Sequence, residues 1–124
     1  MPIVSFNDTQ KAAIVSLLIE MINADSVVEV SECEVFDAIC VEYSISDEIF
    51  LVGRGLDSLK AIDIMKRMSD LQKLVTARLL TRVIDADARD DDLEIRLLTI
   101  ICTATGVDAL INAKSVDGDQ TVKE

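Results

Sequence analysis

The sequence predicts an all-α protein, a compact helical bundle of two pseudo-twofold related helical hairpins joined by shorter helices. Three observations predict it. Helix-forming Ala, Leu, Ile and charged residues dominate the 124 residues, which contain only four Gly and one Pro. No segment shows the apolar–polar alternation of a strand, and capping residues precede successive apolar runs. We expect one domain over 1–124, with its core at about 7–106 and a frayed polar tail at 114–124.

Six predicted helices each begin after a side chain that can accept a backbone N–H bond. Where Gln or Glu follows three residues later, the pair forms a capping box. The first helix is almost wholly apolar from residue 12 to 22, so we expect it at the centre of the core, ending near Asp25. In chain order, the predicted caps are Asn7 with Gln10, Ser31 with Glu34, Ser46, Asp57, Ser69 with Gln72, and Asp91 with Glu94.

Two glycines mark predicted helix ends. The third helix, which is short, should end around Gly53, and the last long helix should stop at Gly106, followed by a helical turn over about 107–111. Leu59, in the fourth helix, is expected to point at the core.

Composition excludes several function classes. A net charge of −11 repels phosphate backbones, so we expect no nucleic-acid partner. Absence of histidine removes the usual zinc sites and Ser-His-Asp triads. The three cysteines, Cys33, Cys40 and Cys102, lack Cys-x-x-Cys spacing, so we expect buried free thiols in a reducing cytoplasm. No apolar run is long enough to span a membrane, and no secretion signal is evident.

The chain contains an internal similarity. KAAIVSLLIEMINAD, from Lys11, aligns without gaps with KLVTARLLTRVIDAD, from Lys73, with six identities in fifteen positions. Each copy continues through an acidic loop into a capped helix. Aligning the predicted caps pairs Glu34 with Glu94 and makes the first loop two residues longer. This pattern predicts the two helical hairpins.

A long helix ending in Ala-Asp, a short loop and a capped helix carrying Glu, present twice, resembles the TerB-like family. That family includes tellurite-resistance proteins and the domain beside some J-domain co-chaperones. The motif reads ADSVVEVSECE and ADARDDDLE here, with Ser26 and Ala88 where the family has glycine. The resemblance covers about residues 7–106. It implies a compact all-α domain with pseudo-twofold symmetry and a role in stress response or tellurite resistance.

The resemblance also implies that the acidic loops hold a divalent cation. Glu32 is an alternative to Glu34, because it lies as far from Asp25 as Glu94 lies from Asp87. Calcium, magnesium, manganese and zinc all remain candidates. The metal ligands that the resemblance implies are Asp25, Glu34, Asp87 and Glu94.

Two explanations of the dense carboxylates stay open. A hard cation with oxygen ligands would compensate their charge, and so would the free N–H groups of helix N-termini. Glu34 and Glu94 would then be capping residues. An EF-hand is excluded, because a loop starting at Asp85 has Arg89 at its fifth position and Arg96 at its twelfth.

GLDSLKAIDIM resembles the attachment site of an acyl or peptidyl carrier protein, with phosphopantetheine on Ser58. The residues favour a simpler explanation, in which Asp57 caps the helix that Ser58 begins. A carboxylate-based metal-dependent hydrolase is a third class. We expect a non-enzymatic binding or scaffold domain with a protein partner whose identity the sequence does not give.

Overall fold

A computed structural model of the chain describes residues 4–24, 28–86 and 92–112. Over these ranges it contains seven helices and no strand, which confirms the predicted all-α fold. The helices are α1 (Asp8–Ile22), α2 (Val30–Glu42), α3 (Asp47–Arg54), α4 (Ser58–Lys66), α5 (Asp70–Ala86), α6 (Asp92–Thr105) and α7 (107–112).

Helix α1 lies at the centre of the bundle, as its apolar sequence predicts. It packs against α2, α3, α4, α5 and α6, so little of its surface reaches solvent. The other helices each supply buried apolar side chains around it, which together form one core. The fully buried ones include Ile39 of α2, Ala61 and Met65 of α4, Leu80 and Val83 of α5, and Val107 of α7.

Most predicted caps are confirmed. Asn7 and Gln10 form a reciprocal capping box, with bonds of 2.9 and 2.8 Å. Ser69 and Gln72 do the same at α5, with bonds of 3.0 and 3.1 Å. Ser46 and Asp57 cap α3 and α4. Gly106 has a φ of 86°, the left-handed conformation expected of a glycine that ends a helix.

The predicted start of α2 is wrong. The helix begins at Val30, so Glu29 is the N-cap and Ser31 lies inside the first turn. The Glu29 N–H donates to Glu32 Oε1 at 3.0 Å, whereas Glu34 is exposed. Two overlapping patterns compete here, and the observed one turns Glu32 inward. Asp91, the predicted cap of α6, lies outside the described residues.

Leu59 is also misplaced by the sequence prediction, because 73% of its surface is exposed. The buried positions of α4 are Ala61 and Met65, one turn apart. A residue two positions before Ala61 points to the opposite side of a helix. Leu56, just before α4, packs against the core instead.

None of the helices within the described ranges has the length and apolar character needed to cross a membrane.

Gly53 allows α3 to approach α1 closely. A Cβ atom at this buried position would lie 2.6 Å from the Ala12 carbonyl oxygen and 2.6 Å from Val15 Cβ. Both contacts are with α1, and the first is with its backbone, so neither atom can move aside easily. Only glycine fits this helix crossing.

We expect Gly53→Ala to lower the free energy of unfolding by about 1–2 kcal/mol, because overpacking outweighs the gain in helix propensity. Urea denaturation measures this. Gly55→Ala is the matched control, since its Cβ would meet nothing closer than 3.8 Å at a φ of −90°. Equal effects of the two substitutions would contradict the proposed close crossing.

Arg82 of α5 and Glu42 of α2 form a bidentate ion pair at 2.9 and 2.8 Å. Their side chains are 37% and 44% exposed, so solvent screens the pair. The hydrogen bond from Arg82 lowers the pKa of Glu42, outweighing the effect of burial. The pair joins two helices that are far apart in sequence.

A double-mutant cycle with Glu42→Gln and Arg82→Gln should give a coupling of about 0.2–1 kcal/mol at neutral pH. Because the folded-state pKa of Glu42 is lowered, this stability is present above the unfolded value of about 4.3 and is lost as pH falls through the lower folded value. Urea melts from pH 7 to pH 3 test it. The exposed Asp63–Arg67 pair is the control, and a coupling that persists at pH 3 would contradict the assignment.

Candidate cation-binding site

Glu32 is the most unusual ionisable side chain of the described residues, because it is fully buried without a basic partner. It occupies the third position of α2, and its exposed fraction is 0%. Its Oε1 accepts the Glu29 N–H at 3.0 Å. Its Oε2 is buried and has no hydrogen-bond donor among the described residues. One oxygen therefore completes the helix cap, while the other leaves a negative charge to be compensated.

Glu94 occupies the corresponding place in the second half of the chain. It is the third residue of α6, as Glu32 is of α2, and it is also 0% exposed. Helices α2 and α6 begin 62 positions apart, as do Glu32 and Glu94. The pairing of Glu34 with Glu94 is therefore wrong, and Glu32 is the counterpart of Glu94.

Other residues 62 positions apart occupy similar environments. The capping glutamines Gln10 and Gln72 contact each other, with Nε2 to Oε1 distances of 3.4 and 3.2 Å. Ser44 and Gly106, after α2 and α6, are the described residues with positive φ, at 55° and 86°. Further pairs with the same separation are Ile39 and Ile101, which are buried, and Cys40 and Cys102, which are half-buried.

The structure separates the predicted metal ligands into three groups. Glu32 and Glu94 are buried at helix N-termini, whereas Glu34 is exposed on α2. Asp25 and Asp87 lie outside the described residues. Across 4–24, 28–86 and 92–112, no three acidic or cysteine side chains come together as a metal site. A complete ligand set would thus have to draw on residues beyond these ranges.

The sequence placed both glutamates in acidic loops but gave no reason to expect complete burial. Density of charge usually indicates a solvated surface. The equal offsets of Glu32 from Asp25 and of Glu94 from Asp87 were the signal that distinguished Glu32 from Glu34.

Ser58 is the first residue of α4 and is half-buried. Asp57 Oδ1 accepts the Leu59 N–H at 3.2 Å, so Asp57 caps the helix as predicted. This geometry explains the Asp-Ser-Leu sequence by capping alone. Modification of Ser58 and hydrolysis by a carboxylate-bound metal both stay predictions.

The three cysteines differ in exposure. Cys33 is exposed, so its predicted burial is wrong, while Cys40 and Cys102 are half-buried. Burial, and secondarily the negative charge of Asp37, raises the pKa of Cys40. Burial and then Asp108 raise the pKa of Cys102. Both groups therefore disfavour the reactive thiolate.

No protein-family model matches the sequence, and no curated protein matches it. Among solved structures, the fold is similar to the crystal structure of a protein of unknown function from Porphyromonas gingivalis. The TM-score is 0.72 and the identity is 24%, over 84% of this chain and 88% of that chain. At this identity the likeness shows a shared all-α fold and carries no functional information.

We expect one fast-reacting thiol in the native protein and two slow ones. Cys33 is exposed, whereas burial and a raised pKa protect Cys40 and Cys102. Titration with a chromogenic disulfide reagent at pH 7.5 measures the phases, and unfolding in guanidinium should release all three. Cys33→Ser should remove the fast phase. Three fast thiols in the folded protein would contradict the packing.

Proposed function

We propose that this chain is a non-enzymatic binding module of the TerB-like type, which holds a divalent cation at the N-terminus of α2 through Glu32. The observation that carries the proposal is the buried Glu32 Oε2, which lacks a hydrogen-bond donor among the described residues. We further propose a cytoplasmic location, for which free cysteines are the support. The role in stress response or tellurite resistance rests on the family resemblance.

Burial of a carboxylate is costly unless its charge is compensated. One bond from the Glu29 N–H and the positive end of α2 compensate part of the charge. A cation would compensate the rest, and carboxylate oxygens are the ligands that calcium and magnesium prefer. Manganese and zinc also accept carboxylate oxygens. Asp25, seven residues before Glu32, is the proposed second ligand on the strength of the sequence motif.

We also propose that the chain is an internal duplication with a second, equivalent cation position. The support is the common separation of 62 positions between the starts of α2 and α6, the two capping boxes and the two buried glutamates. By this equivalence, Glu94 and Asp87 correspond to Glu32 and Asp25. Glu34, which is exposed, is not part of the proposed site.

We expect chelator-treated protein to melt several degrees higher when one of calcium, magnesium, manganese or zinc is added to saturation. A ligand at about one hundred times its Kd stabilises a fold by roughly 2.7 kcal/mol. Glu32→Gln should abolish most of this rise, because an amide retains the capping bond but removes the charge. Thermal melting with each metal is the measurement.

Glu34→Gln is the matched control, since it removes the same charge from the exposed face of the same helix. It should keep the full metal response. Asp25→Asn should weaken the response if the motif supplies the second ligand. A wild-type protein that no metal stabilises, or equal responses of Glu32→Gln and Glu34→Gln, would overturn the cation site and leave Glu32 as a structural cap.

A further inference from the structure

An apolar groove lies between α1, α3 and α4, away from the acidic N-terminus of α2. Its volume is about 290 Å³. A cavity of roughly 150 Å³ accommodates a benzene ring, so this groove has room for two large apolar side chains. Its apolar lining comes from Ala12, Ile49, Val52, Leu56 and Ile64.

The groove is an exposed feature that the core does not explain. Val52 is 62% exposed and its neighbour Leu51 is 60% exposed, on a helix of eight residues. Gly53, on the same helix, is pressed against α1, which fixes the depth at which α3 sits. The apolar wall is therefore held rigidly by the packing beneath it, and such a preformed surface binds with little ordering cost.

Acidic residues stand at the groove. Asp8 is in the first turn of α1, and Glu48 is in the first turn of α3. Both are exposed, and the ion pairs found among the described residues use neither of them. With a net charge of −11 on the whole chain, the field at the groove is strongly negative. This charge selects a basic partner and repels an acidic one.

We propose that this groove binds a basic amphipathic helix of a protein partner. Two apolar side chains one turn apart would fill the groove beside Val52 and Ile49, and Lys or Arg on the flanks would pair with Asp8 and Glu48. The proposal does not depend on the cation site, since it uses none of its residues. Failure of either one leaves the other standing.

The test uses the full chain and a synthetic amphipathic peptide with Leu at positions i, i+3, i+4 and i+7 and Lys on the opposite face. We expect saturable binding by fluorescence anisotropy, weakened about tenfold by Val52→Asp because a carboxylate would be buried under the peptide. The double variant Asp8→Asn/Glu48→Gln should weaken binding several-fold and reduce its dependence on salt.

Matched controls exclude general attraction to an acidic protein. Val41→Asp alters a valine that is 82% exposed on α2, and Asp70→Asn removes a first-turn aspartate of α5, both outside the groove. Neither should change the affinity. Equal weakening by Val52→Asp and Val41→Asp would overturn the proposal. So would a concentration-dependent dimer that Val52→Asp dissociates, because the occupant would then be a second copy of the chain.

Discussion

The bundle depends on one constraint: α1 is a helix with almost no polar face, so it must be surrounded. Apart from the ends, only Glu20 among its last eleven residues is exposed. Even Ser16 is buried, and its hydroxyl donates to the Leu56 carbonyl at 3.0 Å, which ties α1 to the start of α4. The remaining helices have to cover α1, and Gly53 is what allows α3 to come close enough.

Around this centre the two halves are similar but not identical. Gln10 and Gln72 meet between the N-termini of α1 and α5, where each also completes its own capping box. The ion pair of Arg82 with Glu42 has no counterpart by position, since Glu20 and Ala104 stand 62 positions away from them. Equivalent backbones with different side chains are what would allow one half to bind a ligand more tightly than the other.

Local signals were the part of the fold that the sequence predicted well. The caps at Asn7, Ser46, Asp57 and Ser69 need only residues within one turn, so their patterns are readable. The start of α2 was missed because overlapping capping patterns at Glu29 and Ser31 are locally equivalent, and only burial decides between them.

Features set by tertiary packing were not predictable in the same way. The exposure of Leu59 and Cys33, and the complete burial of Glu32, depend on which helices lie opposite. The groove beside Val52 arises from three helices that are brought together by α1. For the candidate site, the sequence indicated the acidic segment and the alternative Glu32, but not which glutamate turns inward.

The central claim is that Glu32 is buried for a cation and not only for a cap. The most direct test is a crystal structure of the full chain grown with manganese, with anomalous diffraction recorded at the manganese edge. We expect an anomalous peak about 2.0–2.6 Å from Glu32 Oε2, the usual range of metal–oxygen distances in proteins. A protein hydrogen-bond donor on that oxygen, with no peak beside it, would contradict the claim.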